Sequence, residues 1–269
     1  MQEPSIATLI EQCASDNPER QAPALQKLVA MKAYSAAPVI LELLRSSDEG
    51  IRFCAAEALG CLGANEIESV GPALVNILED PEGFVRAGAT DSLGILRYQP
   101  ARKSVELLLL NDPDALVRAS AAETLGDLGD SEALEALKHA MQDPDRAVRS
   151  YAANSLGILG TPELIPQLQT YIETEDSLKV KAELLAAKYR LGATEDMEEL
   201  LSLLENADED LATFTLNVLT DLIERRVPST IATNAPRICD VLTGVARRFP
   251  ISARHAQNLI VKLRELEAR

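Results

Sequence analysis

One short segment recurs four times along this chain, and the repetition constrains the fold more than any other feature of the sequence. Each copy opens with an acidic residue, usually followed by proline, and continues through a hydrophobic residue, an arginine and an alanine-rich run to Leu-Gly. Successive arginines of the series are 34, 32 and 31 residues apart. Repetition at this period is typical of stacked helical pairs, in which each unit packs only on its neighbours. The arginines of the series are Arg52, Arg86, Arg118 and Arg149.

The residues of each copy predict two helices. The aspartate of Asp-Pro is expected to cap the first helix, and the proline is expected at a position where a missing N–H does no harm. Alanine and leucine then recur at helical spacing and predict a smooth face for the next copy. A glycine is expected to end this helix or to allow close packing near its end: Gly60, Gly94, Gly126 and Gly157. A second glycine is expected to form the turn: Gly63, Gly129 and Gly160, with Arg97 in its place in the second copy.

Weaker copies on both sides extend the pattern and set the predicted domain organisation. Residues 1–227 are predicted to form a stack of about six helix pairs, with the best copies in residues 46–174. Proline and small polar residues at 226–235 predict a break. Two helices that do not match the repeat, predicted at 236–248 and 252–267, would form a C-terminal cap over residues 228–269, because terminal repeats need a polar outer face.

The repeated string also carries a family resemblance. V-R-x-x-A-A-x-x-L-G-x-[LI]-G, preceded by D-P-[DE], occurs with its best matches at residues 117–129 and 148–160. It resembles the short HEAT-like repeats of the phycobilisome-lyase type, over roughly residues 16–204. The resemblance implies an all-α fold, a right-handed HEAT-like α–α superhelical solenoid. It also implies a structural ladder in which acidic residues and arginines of successive copies alternate: Asp48, Asp80, Asp112 and Asp143 with Arg52, Arg86, Arg118 and Arg149.

Composition argues against several classes of partner. The chain has 42 acidic and 26 basic residues, a net charge of −16, which disfavours nucleic acids and anionic membranes. Aromatic residues make up 3% with no tryptophan, which argues against a stacking platform for bases or sugars. No apolar stretch is long enough to span a membrane, and no signal-peptide pattern is present. The four cysteines have no regular spacing, so we expect a reduced, cytoplasmic protein.

Charge is distributed unevenly along the chain. Residues 228–269 contain seven basic and three acidic side chains, whereas residues 1–227 contain 19 basic and 39 acidic side chains. Ordinary surface charge explains this difference, and the alternative is a basic patch that binds an acidic partner. The patch would comprise Arg237, Arg247, Arg248 and Arg254.

The second helix of each pair supplies the other predicted binding surface. In a HEAT-like superhelix we expect these helices to line a concave face, and their polar residues would contact a partner protein. Each of these residues can equally be part of a solvated face. The candidates are Glu42, Glu79, Glu106, Lys138, His139 and Gln142.

Catalytic and metal-binding signals are weak. His139 and His255 are the only histidines and lie far apart in the sequence, and no nucleophile motif or phosphate-binding loop is present. No catalytic residue is therefore predicted. Cys54 and Cys61 are two helical turns apart and are weak candidates for metal ligands, since structural zinc usually needs four ligands and free cysteine is commonly buried as a small apolar residue.

These observations predict a non-catalytic scaffold that binds another protein and carries no cofactor. The sequence does not specify the oligomeric state. The resemblance implies two kinds of partner. One is an iron–sulfur cluster assembly protein. The alternative is that the chain is a subunit of a phycobilin lyase or of a chromophore-detaching factor that acts on phycobiliproteins, with bilin as its bound cofactor.

Overall fold

The computed structural model describes residues 4–15 and 17–267, so the ends of the predicted ranges and residue 16 lie outside the described residues. The model is 81% helical, and the described residues contain no strand. The described residues also include no helix that is both long and apolar enough to cross a membrane. The predicted all-α fold is confirmed.

The chain divides into two compact units, Met1–Ala140 and Met141–Arg269. In the first unit, short 3-10 turns connect several of the helix pairs. Its helices are α1 (Ile6–Cys13), α2 (Pro18–Ala30), α3 (Ala37–Leu43), α4 (Glu49–Leu62), α5 (Ile67–Ile77), α6 (Gly83–Ile95), α7 (Arg102–Asn111), α8 (Ala115–Leu128) and α9 (Leu134–Ala140).

The second unit continues the pattern of helical pairs and ends in two longer helices. Its helices are α10 (Arg146–Leu159), α11 (Ile165–Thr174), α12 (Leu178–Leu191), α13 (Asp196–Glu205), α14 (Glu209–Glu224), α15 (Ile231–Arg248) and α16 (Pro250–Glu267). The repeated string forms α4, α6, α8 and α10, which we call the first helices of their pairs.

Capping differs in detail from the prediction. Asp112, which precedes proline, does not cap α8; its Oδ1 accepts from the N–H of Asp114 at 2.9 Å. The cap is Asp114 itself, whose Oδ1 accepts from the N–H of Leu116 at 2.9 Å. The same arrangement recurs before α10, where Asp145 is the cap. Two acidic residues therefore start these helices, one bracing the turn and one satisfying a free N–H of the first helical turn.

Successive first helices approach each other at glycine and small polar residues. Gly60 and Gly157 do not end their helices but lie inside them, so the close-packing alternative is the correct one at these positions. A Cβ at Gly157 would lie 2.7 Å from Cα of Ala187 on α12. Side chains also bridge neighbouring helices, since Ser92 Oγ on α6 donates to the carbonyl of Ala56 on α4 at 2.9 Å. The small-residue faces thus bring the helix backbones together.

The turns after the first helices use more than one backbone conformation. Gly129 has the left-handed conformation predicted for it, with φ of 76°. Arg97, in the same position of the second copy, also takes a left-handed φ, of 50°. Gly63 and Gly160 do not, because their φ values are −85° and −70°. The left-handed turn is therefore not a requirement of the repeat.

The C-terminal helices α15 and α16 belong to the second unit. The predicted boundary between residues 227 and 228 stays a prediction. Helix α15 begins at Ile231, five residues before its predicted start, and Pro236 lies inside it. The polar residues that predicted a break hold this end in place, because Thr230 Oγ1 and Asn234 Nδ2 bind the buried hydroxyl of Tyr189 at 3.0 and 2.8 Å. Ser252 of α16 similarly contacts Thr213 of α14, Oγ to Oγ1, at 2.9 Å.

We expect Gly157→Ala to lower the free energy of unfolding by about 2 kcal/mol, since the added methyl group overlaps the backbone of α12. Gly244→Ala is the matched control. No atom lies within 4 Å of a Cβ at this position of α15, so alanine should stabilise the helix by up to about 1 kcal/mol. Urea unfolding followed by circular dichroism measures both changes. Equal stabilities for the two variants would contradict the close packing described here.

Candidate protein-binding surface

Three arginines of the repeat, Arg52, Arg86 and Arg149, each bind a carboxylate near the start of the following copy. Arg86 Nε and Nη2 donate to the two carboxylate oxygens of Asp112, both at 2.8 Å. Arg52 binds Asp80 in the same bidentate way, at 2.6 and 3.0 Å. Arg149 binds Glu175, at 2.8 and 2.9 Å. Glu175 was not predicted as a member of the ladder, because no Asp-Pro marks its position.

Each of these guanidinium groups also closes the loop at the start of its own copy. The remaining nitrogen, Nη1, donates to the carbonyl oxygen of the residue six positions earlier. The pairs are Arg52 with Ser46 at 3.0 Å, Arg86 with Asp80 at 2.7 Å, Arg118 with Asp112 at 2.9 Å and Arg149 with Asp143 at 2.8 Å. One side chain therefore links two copies and fixes a loop.

The acidic members stay ionised although they are buried. Burial alone would raise the pKa of Asp112, but the hydrogen bonds from Arg86 and from the N–H of Asp114 hold it below its ordinary value. The pKa values of Asp80 and Glu175 are lowered in the same way, by Arg52 and by Arg149. Because Arg86 is only 9% exposed and all three of its nitrogens donate hydrogen bonds within the unit, it does not offer a binding group to a partner.

We expect Arg86→Ala to lower the free energy of unfolding by about 3 kcal/mol, because it leaves the buried carboxylate of Asp112 without its cation. Arg45→Ala is the control. The ion pair of Arg45 with Glu42 has 82% and 72% exposed side chains, so its loss should cost less than about 1 kcal/mol. Urea midpoints of the two variants decide the matter, and similar losses would show that the ladder contributes no more than a surface pair.

Acid should remove the stability that the ladder carboxylates contribute. The carboxylates of Asp80, Asp112 and Glu175 have lowered pKa values in the folded state, so the unfolded chain binds protons more readily. Their contribution to stability is complete above about pH 5 and is lost as the pH falls through about 4 and below.

Urea midpoints of the wild type and of Asp112→Asn, measured from pH 7 to pH 3 at constant ionic strength, test this. We expect the variant to be less stable at pH 7 and to lose less stability on acidification. Parallel curves for the two proteins would exclude Asp112 as a source of the acid sensitivity.

Several of the predicted binding residues of the second helices form ion pairs within their own helix. Glu42 pairs with Arg45 at 3.3 Å, Glu106 with Arg102 at 2.7 Å and Lys138 with Glu135 at 2.7 Å. Glu79, His139 and Gln142 are exposed on or just after these helices. The role of the six residues in binding a partner stays a prediction.

Two of the four arginines in the predicted C-terminal patch also make contacts within the second unit, and the role of the patch in binding stays a prediction. Arg237 of α15 binds Glu198 at 3.3 Å and Glu205 at 3.0 Å, both on α13. Arg248 donates to the carbonyl oxygen of Ala207 at 2.7 Å. These two side chains hold α15 against α13, although all four arginines of the set are exposed.

The cysteines do not have the environment of reactive or metal-binding thiols. Cys54 is half-buried and Cys61 is exposed, both on α4. Burial, followed by Glu57 and Asp48, raises the pKa of Cys54, which disfavours the thiolate form that binds metals. Among residues 4–15 and 17–267, no group of three or more His, Cys, Asp or Glu side chains is placed to hold a metal ion.

His255 contacts a hydroxyl group but does not activate it. Its Nε2 lies 2.8 Å from Thr220 Oγ1, and Thr220 donates its own proton to the carbonyl of Leu216 at 2.8 Å. Burial and nearby Lys262 lower the pKa of His255. Since the hydroxyl proton is already bonded to a carbonyl, this pair lacks the geometry of a nucleophile and its base.

An exposed surface that sequence reasoning missed lies on the first helices of the first unit. Phe53 of α4 and Phe84 of α6 pack edge to face, with ring centroids 5.7 Å apart. Phe84 is 37% exposed, and Leu116, the equivalent residue of α8, is 54% exposed. Gly88 leaves room for the ring of Phe53, since a Cβ there would lie 2.8 Å from its Cε2.

Carboxylates run beside these apolar residues. Glu57 and Asp91 occupy the same position of successive copies, and each is exposed. The surrounding protein raises the pKa of Glu57 by displacing water, and the charge of Asp91 adds to this effect. The pKa of Asp91 is raised for the same reasons, with Asp127 as the neighbouring charge, although a hydrogen bond from Ser120 partly offsets the shift. We call Phe53, Glu57, Phe84, Asp91 and Leu116 the α4–α8 face.

The repeat alignment contains a signal for this surface. In the second and third copies a large exposed apolar residue, Phe84 or Leu116, lies two positions before the arginine. In the first three copies a carboxylate lies five positions after the arginine. Phe84 and Asp91 are seven residues apart, as are Leu116 and Glu123, so in each case two helical turns bring them to the same side. The exposure of Phe84 and Leu116 was not predicted from the sequence.

Comparisons with known proteins agree with this architecture. The family model for HEAT repeats matches residues 6–94 and 103–188. The structure is similar to one from the complex of CpcE and CpcF of phycocyanin lyase from Nostoc sp. PCC7120, with 23% identity, a TM-score of 0.64 and coverage of 84% of this chain and 94% of that chain. It is also similar to YibA of Escherichia coli, with 16% identity, a TM-score of 0.56 and coverage of 97% and 93%.

No curated protein sequence matches the chain. At sequence identities of 23% and 16%, the similarity to these structures shows a shared fold. The resemblance to HEAT-like repeats of the phycobilisome-lyase type, and the predicted helical solenoid, are confirmed at that level.

Proposed function

Because the chain belongs to the HEAT-repeat family, we propose that it is a protein-binding subunit of the phycobilin-lyase type. In this proposal the helical repeats hold a phycobiliprotein, and the chain contributes a surface without contributing a catalytic group. The bilin is then a substrate that is attached to or removed from the bound protein. The repeats supply an extended and rigid surface, which is what such scaffolds commonly use to bind proteins.

The observation that carries the proposal is the α4–α8 face. It exposes Phe84 and Leu116 beside carboxylates on helices that the buried ion pairs of Arg52 and Arg86 hold in place. Large apolar side chains surrounded by charged groups on a rigid surface are characteristic of protein-binding sites. Within residues 4–15 and 17–267, no comparable grouping of nucleophile, base and charge-stabilising residues supports an enzymatic reaction.

The similarity to the lyase complex supports the choice of partner. It extends over 84% of this chain and 94% of that chain. The hypothesis of an iron–sulfur cluster assembly partner draws no comparable support from the similar proteins. It therefore becomes the competing outcome of the test.

The experiment mixes the purified chain separately with a chromophore-free phycocyanin subunit and with an A-type iron–sulfur assembly protein. Light scattering after size-exclusion chromatography measures complex formation, and visible absorbance reports any added bilin in the complex. We expect a complex with phycocyanin, unchanged in Arg45→Ala. A complex with the iron–sulfur protein alone would overturn the proposal in favour of the other partner.

A further inference from the structure

Negative charge dominates the helices that form the α4–α8 face. Each of α4, α6 and α8 has one basic residue, its arginine of the repeat, and each arginine donates hydrogen bonds to backbone carbonyls of its own copy. The other charged residues of these helices are all acidic: Glu49, Glu57, Asp91, Glu123 and Asp127. Burial is the main cause of the raised pKa values of Glu57 and Asp91, and the negative charges of Asp91 and Asp127, respectively, add to it. A cation placed over this row would offset those charges.

Apolar side chains of the α4–α8 face lie beside these carboxylates. The face includes two of the chain's four phenylalanines, Phe53 and Phe84, and Leu116 extends it to the next helix. The ideal Cβ of Gly88 would lie 2.8 Å from the ring of Phe53 and 3.8 Å from Cγ of Glu57, so the aromatic ring and the carboxylate share one patch. A partner that matches this surface needs apolar and basic residues side by side.

The spacing of the helices determines the shape of that partner. Packed helices lie about 8–10 Å apart, so equivalent carboxylates on neighbouring helices recur at about that distance. Two turns of an α-helix rise about 11 Å. A helix that crosses α4, α6 and α8 therefore presents side chains seven residues apart to Glu57 and then to Asp91.

We propose that the α4–α8 face binds a basic amphipathic helix of the partner protein. Lysine or arginine residues two turns apart on that helix would pair with Glu57 and Asp91, and apolar residues beside them would cover Phe84 and Leu116. The inference rests on the proposed function for the existence of a protein partner, and it adds the surface and the chemistry of the contact.

The test uses a fluorescent amphipathic helical peptide that carries lysine residues seven positions apart and leucine and phenylalanine alongside them. A second peptide of the same apolar sequence has glutamate in place of each lysine. Fluorescence anisotropy measures binding of both peptides to the full chain. We expect only the lysine peptide to bind, with an affinity that falls as salt is raised.

The first variant combines Glu57→Gln with Asp91→Asn. Both carboxylates are destabilised by their surroundings, so the amides should not lower stability, and circular dichroism checks the fold. We expect about tenfold weaker binding and a smaller salt dependence, because two ion pairs are lost. The matched control combines Glu66→Gln with Glu68→Gln, which removes the same charge from exposed positions outside the face and should leave binding unchanged.

The second variant, Phe84→Ser, should weaken binding while the salt dependence stays as in the wild type. Equal loss of affinity in the Glu66 and Glu68 control, or no loss in the Glu57 and Asp91 variant, would overturn the proposal. A wild-type dimer that Phe84→Ser converts to a monomer would also overturn it, since a second copy of the chain would then occupy the face.

The outcome is separable from that of the proposed function, because the peptide test uses neither phycocyanin nor bilin. If the Glu57 and Asp91 variant binds phycocyanin as the wild type does, the proposed face is wrong while the function stands. If the peptide binds through these two carboxylates but phycocyanin does not bind at all, the function is wrong while the face stands.

Discussion

The bidentate ion pair between an arginine of one copy and the carboxylate that opens the next is the interaction on which the rest of the structure depends. Arg86 and Asp112 show it most fully, because every nitrogen of the guanidinium donates a hydrogen bond and the carboxylate also braces its own turn. Glu175 replaces aspartate opposite Arg149 and keeps the same bonds. The two parallel N–H groups of the guanidinium therefore determine the pairing, and either aspartate or glutamate can supply the carboxylate.

Much of this arrangement could be predicted from sequence because it repeats. The first helices and the arginine–aspartate pairs recur at a fixed period, so each copy confirms the interpretation of the others. The start of α15 could not be predicted in this way. Its Pro236 and the polar residues before it resemble a break, and the partner that keeps them ordered is the buried hydroxyl of Tyr189, which is distant in sequence. Local patterns carry no information about such a contact.

The α4–α8 face was missed for a related reason. The polar residues of the second helices led to the prediction of a binding surface there. The first helices are rich in alanine and glycine and were therefore interpreted only as packing surfaces. Packing uses only part of each helix. The exposure of Phe84 depends on whether another part of the protein covers its ring. The position of the Phe53 ring depends on the absence of a side chain at Gly88 on the next helix. Neither condition is visible in a single copy of the repeat.

One consequence of the repeat connects stability with binding. Arg86 and Asp91 are five residues apart on α6, so they point to different sides of the helix, one into the ladder and the other to the surface. The ladder fixes the distance between neighbouring first helices, and that distance sets the separation of Glu57 from Asp91. Residues of the face can therefore change without weakening the stack, whereas a change in the ladder alters the spacing that a partner helix must match.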